Sequence, residues 1–149
     1  MSRESLLQSA TQLNQPAPDH VQEYSTNKDH LVAELNRRLA SRQDLPLLIG
    51  PNNQELMEDN HRNHALFMES LFRCYNPIIF VDTVIWVYST YRARGFRLPY
   101  WPIQLDTWLV LLQESLSPPA FEAIAPFYRW LIHNQPEFVL LSEKNIQNL

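Results

Sequence analysis

The sequence predicts an all-α fold: one helical domain of about six helices. Three observations carry this. The 149 residues include only two glycines, Gly50 and Gly95, so the chain lacks the residue on which tight hairpins, phosphate loops and dinucleotide-binding turns depend. Eleven prolines stand mostly beside the ends of apolar segments, where proline starts or stops helices. Within those segments apolar residues recur at three- and four-residue spacing, the period of a helix with one buried face. Hydrophobic residues make up 45% of the chain, enough for one core at a length that suits one ordinary domain.

Residues 3–14 read as a short helix with Leu6, Leu7 and Leu13 apolar. The following QPAPDHVQEYSTNKD is polar and carries prolines, and it predicts a linker or extended arm. Residues 1–27 are thus expected as an N-terminal helix and polar arm, beside a helical domain over 28–149. Asn27 or Asp29 caps the next helix, in which Leu31, Val32, Leu35 and Leu39 repeat, and which ends near Arg42 before LPLLIGP. Asn52 or Asn53 opens a long helix over 52–75, with Glu55 in the first turn where negative charge suits the dipole. Its expected core stripe is Leu56, Asn60, His64, Phe67, Leu71 and Cys74, flanked by Met57, His61, Met68 and Phe72.

Asn76-Pro77 ends that helix and starts another over 77–94. This one is apolar nearly all round and rich in β-branched residues, so a buried strand competes. Its length, the Pro77 start and the Arg-Gly stop select a helix. A helix apolar on every side is central or packs on another subunit. Asp82 within it is expected to be a buried acceptor for an arginine or tyrosine. Arg92 and Arg94 suit the carbonyl end of the helix, and Gly95 is the expected C′ residue. FRLPYWP makes an aromatic turn. Helices follow over 103–116, over 118–134 (capped by Ser117 and kinked at Pro126) and over 136–143.

Several function classes are disfavoured. The net charge is −4, and Lys and Arg are scattered, without the basic patch of a nucleic-acid binder. The one cysteine, Cys74, permits no internal disulfide and has no base partner in the pattern. No GxSxG elbow occurs. No apolar run reaches the ~20 residues that span a bilayer, and the first residues lack the apolar core of a secretory signal, so a cytoplasmic setting off the membrane is expected.

The segment MEDNHRNHALFMES holds the residues closest to a metal motif. Glu58 and His61 have the i, i+3 spacing of di-iron bundles, and His64 lies one turn further on the same side. Such a site needs a second carboxylate–histidine pair. Residues 103–116 offer Asp106 and Glu114 without a histidine, and Glu122 and His133 are too far apart. Haem ligation with His64 on the distal side needs a histidine on the following helix, and 77–94 has none; Tyr88, Tyr91, Cys74 and His133 are the substitutes. The first expectation is therefore a polar seam without cofactor. In it His64 and Asn60 face the core, bonded to each other or to Asp82, Thr83 or tyrosines of the next helix, while His61 is half exposed. Haem or iron held by Glu58, His61 and His64 is the alternative. The aromatic residues between Tyr75 and Trp108 are read as core, or as the wall of a flat apolar pocket or a dimer surface.

The runs WVYSTYRARGF, IQLDTWLVLLQESL and FYRWLI, within residues 28–134, resemble haem-free globin-like helical sensor domains of bacterial signalling proteins. The shared pattern is an apolar helix ending in Arg-x-Arg-Gly, then a leucine-rich helix. The resemblance implies a globin-like arrangement and a homodimer with the apolar helix at or near the interface. It departs from haem-binding globins in lacking the proximal histidine. With no attached output domain, a signal would pass by protein contact.

Together these readings predict a small non-enzymatic sensor or regulatory module that acts through dimerisation and a protein partner. Its apolar ligand pocket would lie between helices 52–75 and 77–94, lined by Asn60, His64, Phe67, Trp86 and Tyr88. An adaptor that docks through its N-terminal arm is the third reading.

Overall fold

Helix α2 (Pro18–Ala40) is the spine of the molecule, packed along its length by α4 (Gln54–Arg73), α6 (Tyr100–Ser115) and α7 (Pro118–His133). The computed structural model describes residues 2–147. The remaining elements are α1 (Arg3–Ala10), α3 (Leu45–Ile49), α5 (Pro77–Ala93) and α8 (Gln135–Gln147). The fold is all-helical: the described residues form eight helices and no strand. Eight exceeds the expected count of about six, and the helix absent from the sequence pattern is α3, which closes within LPLLIGP.

The largest correction concerns QPAPDHVQEYSTNKD. It is not an extended arm, because α2 begins at Pro18, with the proline in the first turn where its missing N–H costs nothing. Val21 and Tyr24 are buried and continue the stripe of Leu31, Leu35 and Leu39. The stripe is interrupted at Lys28, and that one charge hides the period from a sequence reading. In the fold Lys28 pairs with Glu69 of α4 at 3.2 Å.

The N-terminal helix is likewise part of the core. Its N-cap Ser2 forms a capping box with Ser5, and Leu6 and Ala10 are buried. Trp130 Nε1 donates to Ser9 Oγ at 2.9 Å, and Tyr75 Oη donates to the Ala10 carbonyl at 2.6 Å. The Arg3 guanidinium spans both carboxylate oxygens of Asp82 at 2.6 and 3.0 Å. Asp82 therefore does accept from an arginine, but at the surface and not in the core.

Helix α5 is not central. It packs on α1 and α8, and its outer face leaves Ile78, Ile79 and Trp86 exposed. Asn76 caps it by accepting from the Ile78 and Ile79 amides, and Ser117 caps α7, both as the sequence predicts. Arg92 serves more than the helix dipole: it donates to Ser142 Oγ at 2.8 Å and to the Val139 carbonyl at 3.3 Å, tying α5 to α8. Cys74, expected on the core stripe, is the exposed C-cap of α4.

Both glycines serve one junction. Gly50 has φ 82° and ψ 170°, a region open to glycine almost alone, and a Cβ there would lie 3.2 Å from the Gly95 carbonyl oxygen. Gly95 has φ 107°. Asn53 Nδ2 bridges the two turns, donating to the Ile49 carbonyl at 2.7 Å and the Arg94 carbonyl at 2.9 Å. This clasp fixes the start of α4 against the end of α5, the two helices that flank the cavity described below.

Leu6→Ala is expected to cost about 2–5 kcal/mol in urea unfolding, the usual loss for emptying a fully buried leucine site. A loss near zero would mean that α1 rests on the domain without belonging to it.

Candidate functional site

Helix α4 turns a different edge to the core than the sequence suggests. The buried residues are Met57, Asn60, His61, Ala65, Met68, Leu71 and Phe72. The expected flank is the seam, because α4 lies against α2 and that contact sets its rotation. The histidines exchange roles accordingly. His61 has no exposed surface, and His64 keeps a part of its own.

His61 sits in a polar chain that crosses three helices. Nδ1 meets the Asn36 side-chain oxygen at 2.5 Å, and Nε2 meets Tyr100 Oη at 2.9 Å. Tyr100 Oη donates to Asn60 Oδ1 at 2.8 Å, and Gln104 Nε2 donates to the same oxygen at 3.2 Å. The single phenolic proton goes to Asn60, so His61 donates from Nε2 and its Nδ1 is the acceptor. Turning the Asn36 amide to present its nitrogen then satisfies every member with a neutral ring.

His64 begins a second chain. Its Nε2 meets Tyr128 Oη at 3.0 Å, and Tyr128 Oη meets Tyr24 Oη at 3.0 Å. The imidazole also packs on the indole of Trp108, ring centres 4.9 Å apart. The partners expected for this seam were Asp82, Thr83 or tyrosines of α5. Those found are Tyr24 of α2, Tyr100 of α6 and Tyr128 of α7, because these helices, and not α5, face the core edge of α4.

Burial dominates the electrostatics. It pushes His61 down to about 3, with a further push from neighbouring His64, and it pulls His64 down as well. Desolvation likewise raises Tyr24, Tyr100 and Tyr128. All five groups are neutral near pH 7.

The five residues expected at a pocket border one cavity of about 180 Å³: Asn60, His64, Phe67, Trp86 and Tyr88 all line it. Sequence reading missed Asn63, Thr83, Tyr91, Trp101 and Gln104 among its other walls. Gln104 and Trp101 come from α6, whose register against α4 no periodicity in the sequence specifies. Tyr88 stacks on Trp101 with ring centres 4.5 Å apart, and burial raises its phenol. Among the described residues, no Lys, Arg, Asp or Glu lines the cavity.

Glu58, His61 and His64 are not brought together as a ligand set. Glu58 accepts from Gln54 at 3.4 Å, both nitrogens of His61 are engaged, and His64 Nε2 is held by Tyr128. Among the described residues no group of three or more His, Cys, Asp or Glu side chains is placed to hold a metal ion. His133, the substitute haem ligand, is exposed at the end of α7. No described helix is long and apolar enough to cross a membrane.

The folded state keeps His61 neutral down to about pH 3, whereas the unfolded chain protonates it near 6.5. Between those values the unfolded state binds more protons, so stability falls as pH falls. Chemical unfolding between pH 7 and 5 is expected to show a loss approaching ~1.4 kcal/mol per pH unit below 6 for this ring. The slope should shrink in His61→Gln. A slope unchanged in that variant would mean that His61 titrates alike in both states. Separately, Tyr100→Phe should cost about 1–3 kcal/mol by leaving His61 Nε2 and Asn60 Oδ1 short of a partner, read as a lower melting temperature.

Comparison of the chain with protein-family models, with curated proteins and with solved structures finds no match in any of the three.

Proposed function

We propose that this chain is a non-enzymatic small-molecule sensor that reports occupancy of its cavity through the outer face of α5. The observation that carries this reading is the position of Trp86. It lines the cavity and is also 60% exposed, on the same helix face as Ile79. A cavity occupant that shifts Trp86 therefore changes an apolar surface directly. Such a surface, with Ile78 and Ile79 more than half exposed beside it, is of the kind that marks protein contact.

The contact proposed is with a second copy of the chain, giving a homodimer with α5 at the interface. The resemblance to haem-free globin-like sensors points the same way. A non-catalytic role fits the chemistry of His61 and His64: their partners are tyrosines and an asparagine, and among the described residues neither has a serine or cysteine to activate. In this reading the protein works without a bound cofactor, in the cytoplasm.

Sedimentation at micromolar concentration is expected to give twice the 17.6 kDa chain mass, with Ile79→Asp shifting it to one chain. An occupant of the cavity should move that equilibrium. A protein that stays monomeric at all accessible concentrations would remove the dimer. Occupancy without effect on assembly would remove its sensing role.

A further inference from the structure

We infer that the cavity selects an uncharged, single-ring planar molecule whose edge carries an adjacent hydrogen-bond donor and acceptor, as an aryl amide or lactam does. The inference rests on the reading of the cavity as a ligand site, and it adds the chemical class.

The amides of Asn60 and Gln104 provide the recognition. Both border the cavity, and they are 5% and 3% exposed. Their mutual bond uses only half of each group: Gln104 Nε2 donates to Asn60 Oδ1 at 3.2 Å. Asn60 Oδ1 also receives the Tyr100 proton, so the amide is pinned with its oxygen toward the network. Its Nδ2, with two protons to give, makes no bond to the described residues, and neither does Gln104 Oε1. These two atoms are not sealed inside the protein. Among the described residues, the enclosed atoms without partners are Tyr88 Oη, Trp108 Nε1 and Gln135 Nε2. A nearly buried donor and a nearly buried acceptor, on two side chains bonded to each other, are thus left to whatever enters. Buried polar groups are paired in folded proteins, so an occupant that completes both bonds is favoured over one that displaces water without replacing its bonds.

The walls supply the other terms. Phe67, Trp86 and Trp101 present apolar aromatic surface, which suits a planar ring. A volume of about 180 Å³ is on the scale of cavities that hold one benzene-sized ring. With no charged side chain among the described lining residues and His64 neutral, none of these groups offsets the desolvation of an ionic ligand.

Benzamide, benzoate and toluene, matched in ring and differing in edge, separate these terms. Each is titrated into the full chain at pH 7 by calorimetry, with tryptophan emission as a second readout. Benzamide is expected to bind at least about tenfold more tightly than either of the others, the factor one good neutral hydrogen bond supplies. Gln104→Met removes the acceptor while keeping the shape, and should reduce benzamide to the level of toluene with toluene unchanged. Benzoate binding as tightly as benzamide overturns the neutral class. Toluene binding as tightly, or a benzamide preference that survives in Gln104→Met, overturns the amide edge; in each of these cases the cavity remains a ligand site. Failure of all three to bind overturns both this inference and the ligand site beneath it.

Discussion

A neutral imidazole with no exposed surface must find a partner for each nitrogen, and in this protein that requirement joins three helices. His61 of α4 reaches Asn36 of α2 on one side and Tyr100 of α6 on the other, and the chain continues to Asn60 and Gln104. An apolar seam permits several rotations of a helix at similar free energy. A polar seam does not, because a rotation of one residue would leave buried donors and acceptors unpaired, each costing about 1–3 kcal/mol. The chain therefore sets the rotation of α4 and its register against α6.

That register creates the cavity. Asn60 and Gln104 belong both to the network and to the cavity wall, so the groups that lock the helices also line the cavity. The clasp of Gly50, Asn53 and Gly95 fixes the other side by holding the start of α4 to the end of α5. Trp86 and Tyr88 are carried on α5, which is braced from outside by Arg3 and from α8 by its bonds to Arg92. The site thus combines a polar floor with a wall whose tryptophan borders solvent.

Two kinds of sequence signal carried through to the structure. Local chemistry did so because it depends on neighbours in the chain: Asn76-Pro77 and Ser117-Pro118 begin helices in the fold as they do in the pattern. Strong apolar periodicity also did so, giving an all-helical fold. It failed where a tertiary partner altered the pattern. Lys28 breaks the stripe of α2 and is neutralised by Glu69, so ten residues of helix read as a linker. Asp82 looked buried because its neighbours are apolar, whereas Arg3, seventy-nine residues away, holds it at the surface.

By itself the sequence determined the helical class, most helix boundaries and five of the residues from α4 and α5 that border one cavity. These follow from spacing of three and four residues and from caps, both properties of a single helix. The tertiary structure decided which histidine is enclosed, which tyrosines bind the pair and which residues of α6 complete the wall. Those outcomes depend on how each helix is rotated and slid against its neighbours. That choice is made by pairing buried polar groups across helices, and no single segment contains the information.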